Sequence, residues 1–173
     1  ANTEDVSNTL SLATSYTDTA GNEGSVATTA NYEVDTLVPS VSSFTLSDTA
    51  LKVGENATVS LVFSEAVASF SSSADITVAN GTLATMTSSD NITWSATFTP
   101  TTNTEDASNT LALATSYSDP TGNAGPASTT ANYEVDTLAP TVNSFTLSDT
   151  ALKADDNATV TLVFSEAVAS FSS

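Results

Sequence analysis

The chain repeats itself at a fixed interval of 101 residues. Thr3-Glu-Asp-Val-Ser-Asn-Thr-Leu10 returns as Thr104-Glu-Asp-Ala-Ser-Asn-Thr-Leu111, and Leu61 to Phe70 returns unchanged at Leu162 to Phe171. Residues 1–72 and 102–173 are identical at 55 of 72 positions, closer than a shared fold requires, which points to duplication within an array. Solenoid units run to about 50 residues, so this period demands a whole domain per repeat rather than one supersecondary unit. The boundary falls near Asp35-Thr-Leu-Val-Pro39 and Asp136-Thr-Leu-Ala-Pro140. Residues 36–136 therefore make one complete repeat, with 1–35 as the C-terminal part of one repeat and 137–173 as the N-terminal part of the next. Neither partial piece is expected to fold by itself.

Alternation with a period of two identifies the secondary structure. Ala57, Val59, Leu61 and Phe63 fall on one face, and Thr58, Ser60 and Ser64 on the other. Ile92, Trp94, Ala96 and Phe98 alternate with Thr93, Ser95, Thr97 and Thr99. Leu111, Leu113 and Tyr117, then Tyr133 and Val135, supply further inner faces. Val41, Phe44 and Leu46 break parity, which predicts a bulge or a strand that changes sheets. Turn residues separate the runs, as in Val53-Gly-Glu-Asn56 and Asp119-Pro-Thr-Gly-Asn123. The reading is all-β, with no helical stretch: tandem immunoglobulin-like β-sandwich domains of about seven strands each. By parity Trp94 belongs to the core, and the Asn-x-Thr triplets at Asn56, Asn80 and Asn91 read as turn and strand residues rather than glycan acceptors.

Charge limits the partners. Twenty Asp and Glu face two Lys, with no Arg and no His, for a net charge of −18. Two lysines make no basic groove for nucleic acid, and no apolar run is long enough for membrane insertion. Without Cys or His the usual nucleophile–base pairs and soft-metal sites are excluded, so the chain is not expected to be an enzyme. Hard, oxygen-ligated cations remain.

Together, Asp35-Thr-x-x-Pro39, Phe44-Thr-Leu-Ser-Asp-Thr-Ala-Leu-Lys52, Val62-Phe-Ser-Glu-Ala-Val67, Trp94-Ser-Ala-Thr-Phe-Thr-Pro100 and Tyr117-Ser-Asp-Pro-Thr-Gly-Asn123 carry a resemblance over the whole chain. It resembles the bacterial immunoglobulin-like extender domains of giant repetitive adhesins of the repeat-in-toxin type, such as biofilm adhesins and a marine ice-binding adhesin. The resemblance implies an extracellular, cell-surface stalk stiffened by calcium, which holds adhesive domains away from the cell. The neighbouring repeats would then be its partners, with the adhesive ligand bound elsewhere. An alternative is that the repeat itself binds ice or a glycan through hydroxyl-rich faces such as Thr93, Ser95, Thr97 and Thr99.

Strand alternation also says where the acids gather. One pole of the complete repeat collects Asp35, Glu65, the Asp90 turn and the loop from Asp119 to Asn123; the opposite pole collects Asp48, Glu105, Asp106, Glu134 and Asp136. Calcium takes six to eight oxygens from carboxylates, amides and carbonyls. The leading site is Asp35, Glu65, Asp119 and Asn123, with Glu4 or Asp5 from the preceding repeat. The next joint is expected to use Asp136 and Glu166 with Glu105 or Asp106, its long loop falling past Ser173. Asp18 and Asn22 repeat the Asp-x-x-Gly-Asn spacing one period earlier.

Overall fold

A computed structural model of the chain describes residues 3–172. The first piece holds β1 (Glu4–Asn8), β2 (Ser11–Leu12), β3 (Ala27–Thr28) and β4 (Tyr32–Asp35). The complete repeat holds β5 (Val41–Leu46), β6 (Ala50–Lys52), β7 (Ala57–Phe63), α1 (Ser72–Asp75), β8 (Ile76–Val78), β9 (Gly81–Leu83), β10 (Thr93–Pro100), β11 (Glu105–Asn109), β12 (Leu111–Leu113), β13 (Ser128–Thr129) and β14 (Tyr133–Asp136). The last piece holds β15 (Val142–Leu147) and β16 (Val160–Phe164).

The complete repeat is a sandwich. One layer is the sheet β5-β7-β10-β9, in which β7 pairs antiparallel with both β5 and β10. Facing it are two three-stranded sheets, β11-β14-β6 and β13-β12-β8. Phe98 meets Tyr133 edge-on at 5.2 Å and Phe63 meets Tyr117 at 4.9 Å, so the rings of both layers interlock. Alternation does what the sequence predicts: Ala57, Val59, Leu61 and Phe63 are buried, and every Thr of β10 is exposed. Trp94 is only half-buried, packed edge-on against Phe70 at the margin of the core.

The broken parity of the first strand comes from a bulge, and a change of layer follows that strand. The register with β7 shifts between Val41 and Ser43, a bulge, and the chain then changes layers so that β6 pairs parallel with β14. This crossover divides what reads as one strand into two. Similar interruptions near Thr110 raise the repeat to ten strand segments rather than about seven. The single turn α1 also departs from the expectation of no helix. Asp75, almost fully buried, closes it by accepting from the Ser71 N–H (2.7 Å) and from the Ser116 hydroxyl. Such local side-chain capping leaves no periodic pattern in a sequence.

Equivalent residues meet different fates in the terminal pieces. Leu111 and Tyr117 are fully buried, whereas their counterparts Leu10 and Tyr16 are 64% and 43% exposed. Phe145, counterpart of the buried Phe44, is 71% exposed. The core thus sits entirely between Phe44 and Val135.

Candidate metal centre at the joint

Asp119 lies within the loop between β12 and β13 and organises its turn. Its Oδ1 accepts from the backbone N–H of Thr121 (2.9 Å), Gly122 (2.7 Å) and Asn123 (2.9 Å), and from the Thr121 hydroxyl (2.9 Å). Its Oδ2 accepts from Asn123 Nδ2 (2.8 Å). Gly122 takes φ of 98°, a conformation open to glycine at little cost, and that lets the loop curl around the carboxylate. Asp119 is 1% exposed. Burial pushes its pKa up, but the hydrogen bonds from Asn123, Thr121 and Gly122 outweigh that and hold it below the usual value of 3.8.

This loop reaches across to the linker. Thr121 Oγ1 stands 2.9 Å from both Asp35 Oδ2 and Asp119 Oδ1 and shares its one proton between them, and Asn123 Nδ2 donates to the Asp35 carbonyl at 3.3 Å. Asp35 Oδ1 accepts from the Leu37 N–H, which fixes the linker beyond β4. Glu65 enters from the end of β7. Carboxylate oxygens of Asp35, Glu65 and Asp119 all lie within 4.8 Å of one another, the one such group among the described residues. Glu65 Oε1 is buried with no hydrogen-bond partner. Its pKa is raised, first by burial and then by the charges of Asp119, Asp35 and Glu4.

Glu4 comes from β1, where it stands opposite Asp35 in the ladder with β4. Asp5 is one residue out of phase, opposite Val34, and its Oδ1 accepts from the Ser7 N–H. The same division recurs at the other pole. Glu105 stands opposite Asp136, while Asp106 accepts from Asn80 Nδ2 at 2.7 Å. Of each acidic pair, then, the Glu shares the row of the linker Asp and the other acid is engaged elsewhere. At this second joint Asp136 Oδ1 and Glu166 Oε1 are both buried without hydrogen-bond partners, whereas at the first only Glu65 Oε1 is, Asp35 Oδ1 being bonded to Leu37.

Other predicted residues are not brought together. Asp18 and Asn22 close the same kind of turn, with Asn22 Nδ2 donating to Asp18 Oδ2 at 2.7 Å, but among the described residues no group of three acids forms there. Asp90 lies at the expected pole yet spends its Oδ1 on its own turn, accepting from Ile92, Thr93 and Ser88. The sequence reading missed Thr121, the hydroxyl that ties loop to linker. Its counterpart is Ala20, so comparing repeats conceals the signal.

What can such a cluster do? Three carboxylates converging at the edge of a core repel one another unless a cation or a proton intervenes. Oxygens on opposite sides of a calcium ion stand up to about 5 Å apart, twice a bond of 2.3–2.6 Å. The spacing observed therefore accommodates calcium, and the donor set is entirely hard oxygen.

A sequence model of the bacterial Ig-like domain matches residues 35–135. The chain belongs to that family, whose members are typically non-catalytic and often extracellular or surface-borne. Neither a curated protein nor a solved structure matches the chain. No helix among the described residues is long and apolar enough to cross a membrane.

Proposed function

We propose that the chain is an extender segment of a bacterial surface adhesin, in which calcium held at the joints between repeats aligns one domain with the next. The observation that carries this reading is the composition of the cluster. Asp35 ends β4, the exit strand of the preceding repeat, whereas Glu65 and Asp119 belong to the body of the complete repeat, so an ion bound by all three fixes that strand to the body. Asp35, Glu65 and Asp119 would hold the ion, with Glu4 beside them adding the preceding repeat's charge. The Asn123 amide orients Asp119, and the Thr121 hydroxyl orients Asp35.

Bound calcium would supply positive charge where four acids meet. The chain supplies the rest. Loop and linker are already joined by two hydrogen bonds, so little ordering remains when the ion arrives. Thr137, the linker residue after Asp136, is 5% exposed and donates to the Thr101 carbonyl at 2.6 Å, while Thr104 N–H donates to its hydroxyl. Only residues 138 and 139 then separate this anchored stretch from Pro140, which restricts the residue before it to extended conformations.

Small-angle scattering tests the proposal. The maximum dimension and the stiffness of the chain should both rise in millimolar calcium and fall on adding chelator. Identical scattering in the two conditions would refute the stiffening role.

A further inference from the structure

At the second joint, β14 lies between β11 and β6, so that Asp136 has Glu105 opposite it on one side and Lys52 beside it on the other. Paired residues in neighbouring strands project to the same face, which places one ammonium and two carboxylates in a single row. Lys52, Asp136 and Glu166 also line one cavity, together with Leu138 and Pro140. The two acids each present a buried oxygen without a hydrogen-bond partner. Lys52 and Lys153 are the two basic residues of the chain and stand 101 positions apart, so each occupies the same place in its repeat.

As the structure stands, the Lys52 ammonium pairs with Glu55 at 3.2 Å, with 74% of its side chain exposed. A solvated ion pair of this kind holds its partners weakly. Carboxylate oxygens withdrawn from water attract a cation more strongly, because the local dielectric is lower. Lysine carries its charge on a flexible four-carbon stem and is suited to exchanging one acceptor for another.

We propose that Lys52 is a mobile counter-ion of the second joint: without metal its ammonium exchanges between Glu55, where the structure has it, and the acids Asp136 and Glu166, and calcium displaces it from those two. The competition half of this proposal rests on the reading of the joints as calcium sites; the ammonium contact does not. Lys52 would then keep the joint partly closed at low calcium and raise the concentration at which metal takes over.

Two lysines make the test direct, since amine-nitrogen NMR of the full chain labelled at lysine yields two signals. In chelator, the Lys52 signal should move in the double variant Asp136→Asn, Glu166→Gln, while the Lys153 signal stays in place. Calcium added to the unaltered chain should shift the Lys52 signal the same way. A Lys52 signal that responds to Glu55→Gln but not to the double variant overturns the proposal. Calorimetric calcium titration supplies the second measurement. Lys52→Gln should tighten binding at the second joint severalfold and leave the Asp35 joint unchanged; equal affinities at the second joint in the two proteins overturn the competition. A flat calcium trace for both proteins overturns the calcium reading itself, and the spectra in chelator still decide which acids hold Lys52.

Discussion

Glu65 and Asp119 are neighbours in one cluster with opposite responses to their surroundings. Glu65 has its pKa raised from 4.5 by burial and by three nearby acids, so only between 4.5 and the raised value does the metal-free folded protein hold a proton there that the unfolded chain has released. Its stabilising protonated form is fully present below 4.5 and is lost as pH rises through the raised value. Asp119 is lowered from 3.8, so its contribution is present above that value and is lost as pH falls through the depressed one. In chelator at pH 7, Glu65→Gln should therefore melt higher than the unaltered protein, because a desolvated charge has been removed. In calcium the order should invert, since the variant lacks one of the proposed ligands; thermal melts in both conditions check the reversal. Thr121 makes a further residue-scale prediction. Its hydroxyl orients Asp35 at 2.9 Å, and loss of such a supporting hydrogen bond weakens metal binding by about tenfold or more. Thr121→Val should show that loss by calorimetry while keeping its melting temperature in chelator near that of the unaltered chain.

Strands and loops are held by contacts the sequence advertises unequally. Gly125 follows the Asp119 loop against the ring of Tyr117; an added Cβ would stand 2.2 Å from a ring carbon. The Tyr117 ring is fully buried against Phe63, and its hydroxyl donates to the Pro126 carbonyl at 2.8 Å, so it has no room to yield. Overpacking of this kind costs about 1–3 kcal/mol, and Gly125→Ala should lower the chemical-denaturation midpoint accordingly without changing the slope. The strong period-two runs of β7 and β10 were legible because each has one buried and one solvated face, and alternation records that difference directly. Asp35, Glu65 and Asp119 were legible for a related reason: antiparallel strands return to fixed poles, so alternation also tells which loop ends meet. The layer change between β5 and β6, the α1 turn and the phase that separates Glu105 from Asp106 were not. Each depends on a few hydrogen bonds or a bulge, whether within one turn as at Ser71 and Asp75 or between partners far apart in sequence, and no periodic pattern encodes those.

For the whole molecule, 20 acids against two lysines mean that like-charge repulsion opposes every joint. Two remedies differ in kind. Simple salt screens exposed charges over about 10 Å at 0.1 M, so it should relax the chain's general repulsion whichever acids are present. Calcium, on the reading proposed above, would act at a site and stabilise by mass action, about 1.4 kcal/mol at a free concentration ten times the dissociation constant. Magnesium separates site binding from screening by a divalent ion. It requires bonds near 2.0–2.1 Å in octahedral array and gives up its waters reluctantly, whereas calcium accepts six to eight oxygens in a flexible shell. The carboxylates of the first joint come from three separate segments, and a strict octahedral shell asks more of their placement than calcium does. Melting temperature should thus climb with calcium at fixed ionic strength and respond much less to equimolar magnesium, and Asp35→Asn should flatten the calcium series without altering the sodium chloride series. Equal responses to the two divalent ions, or a calcium series unchanged by Asp35→Asn, would reduce the cluster to diffuse surface charge and leave the linker's own hydrogen bonds to set the angle between repeats.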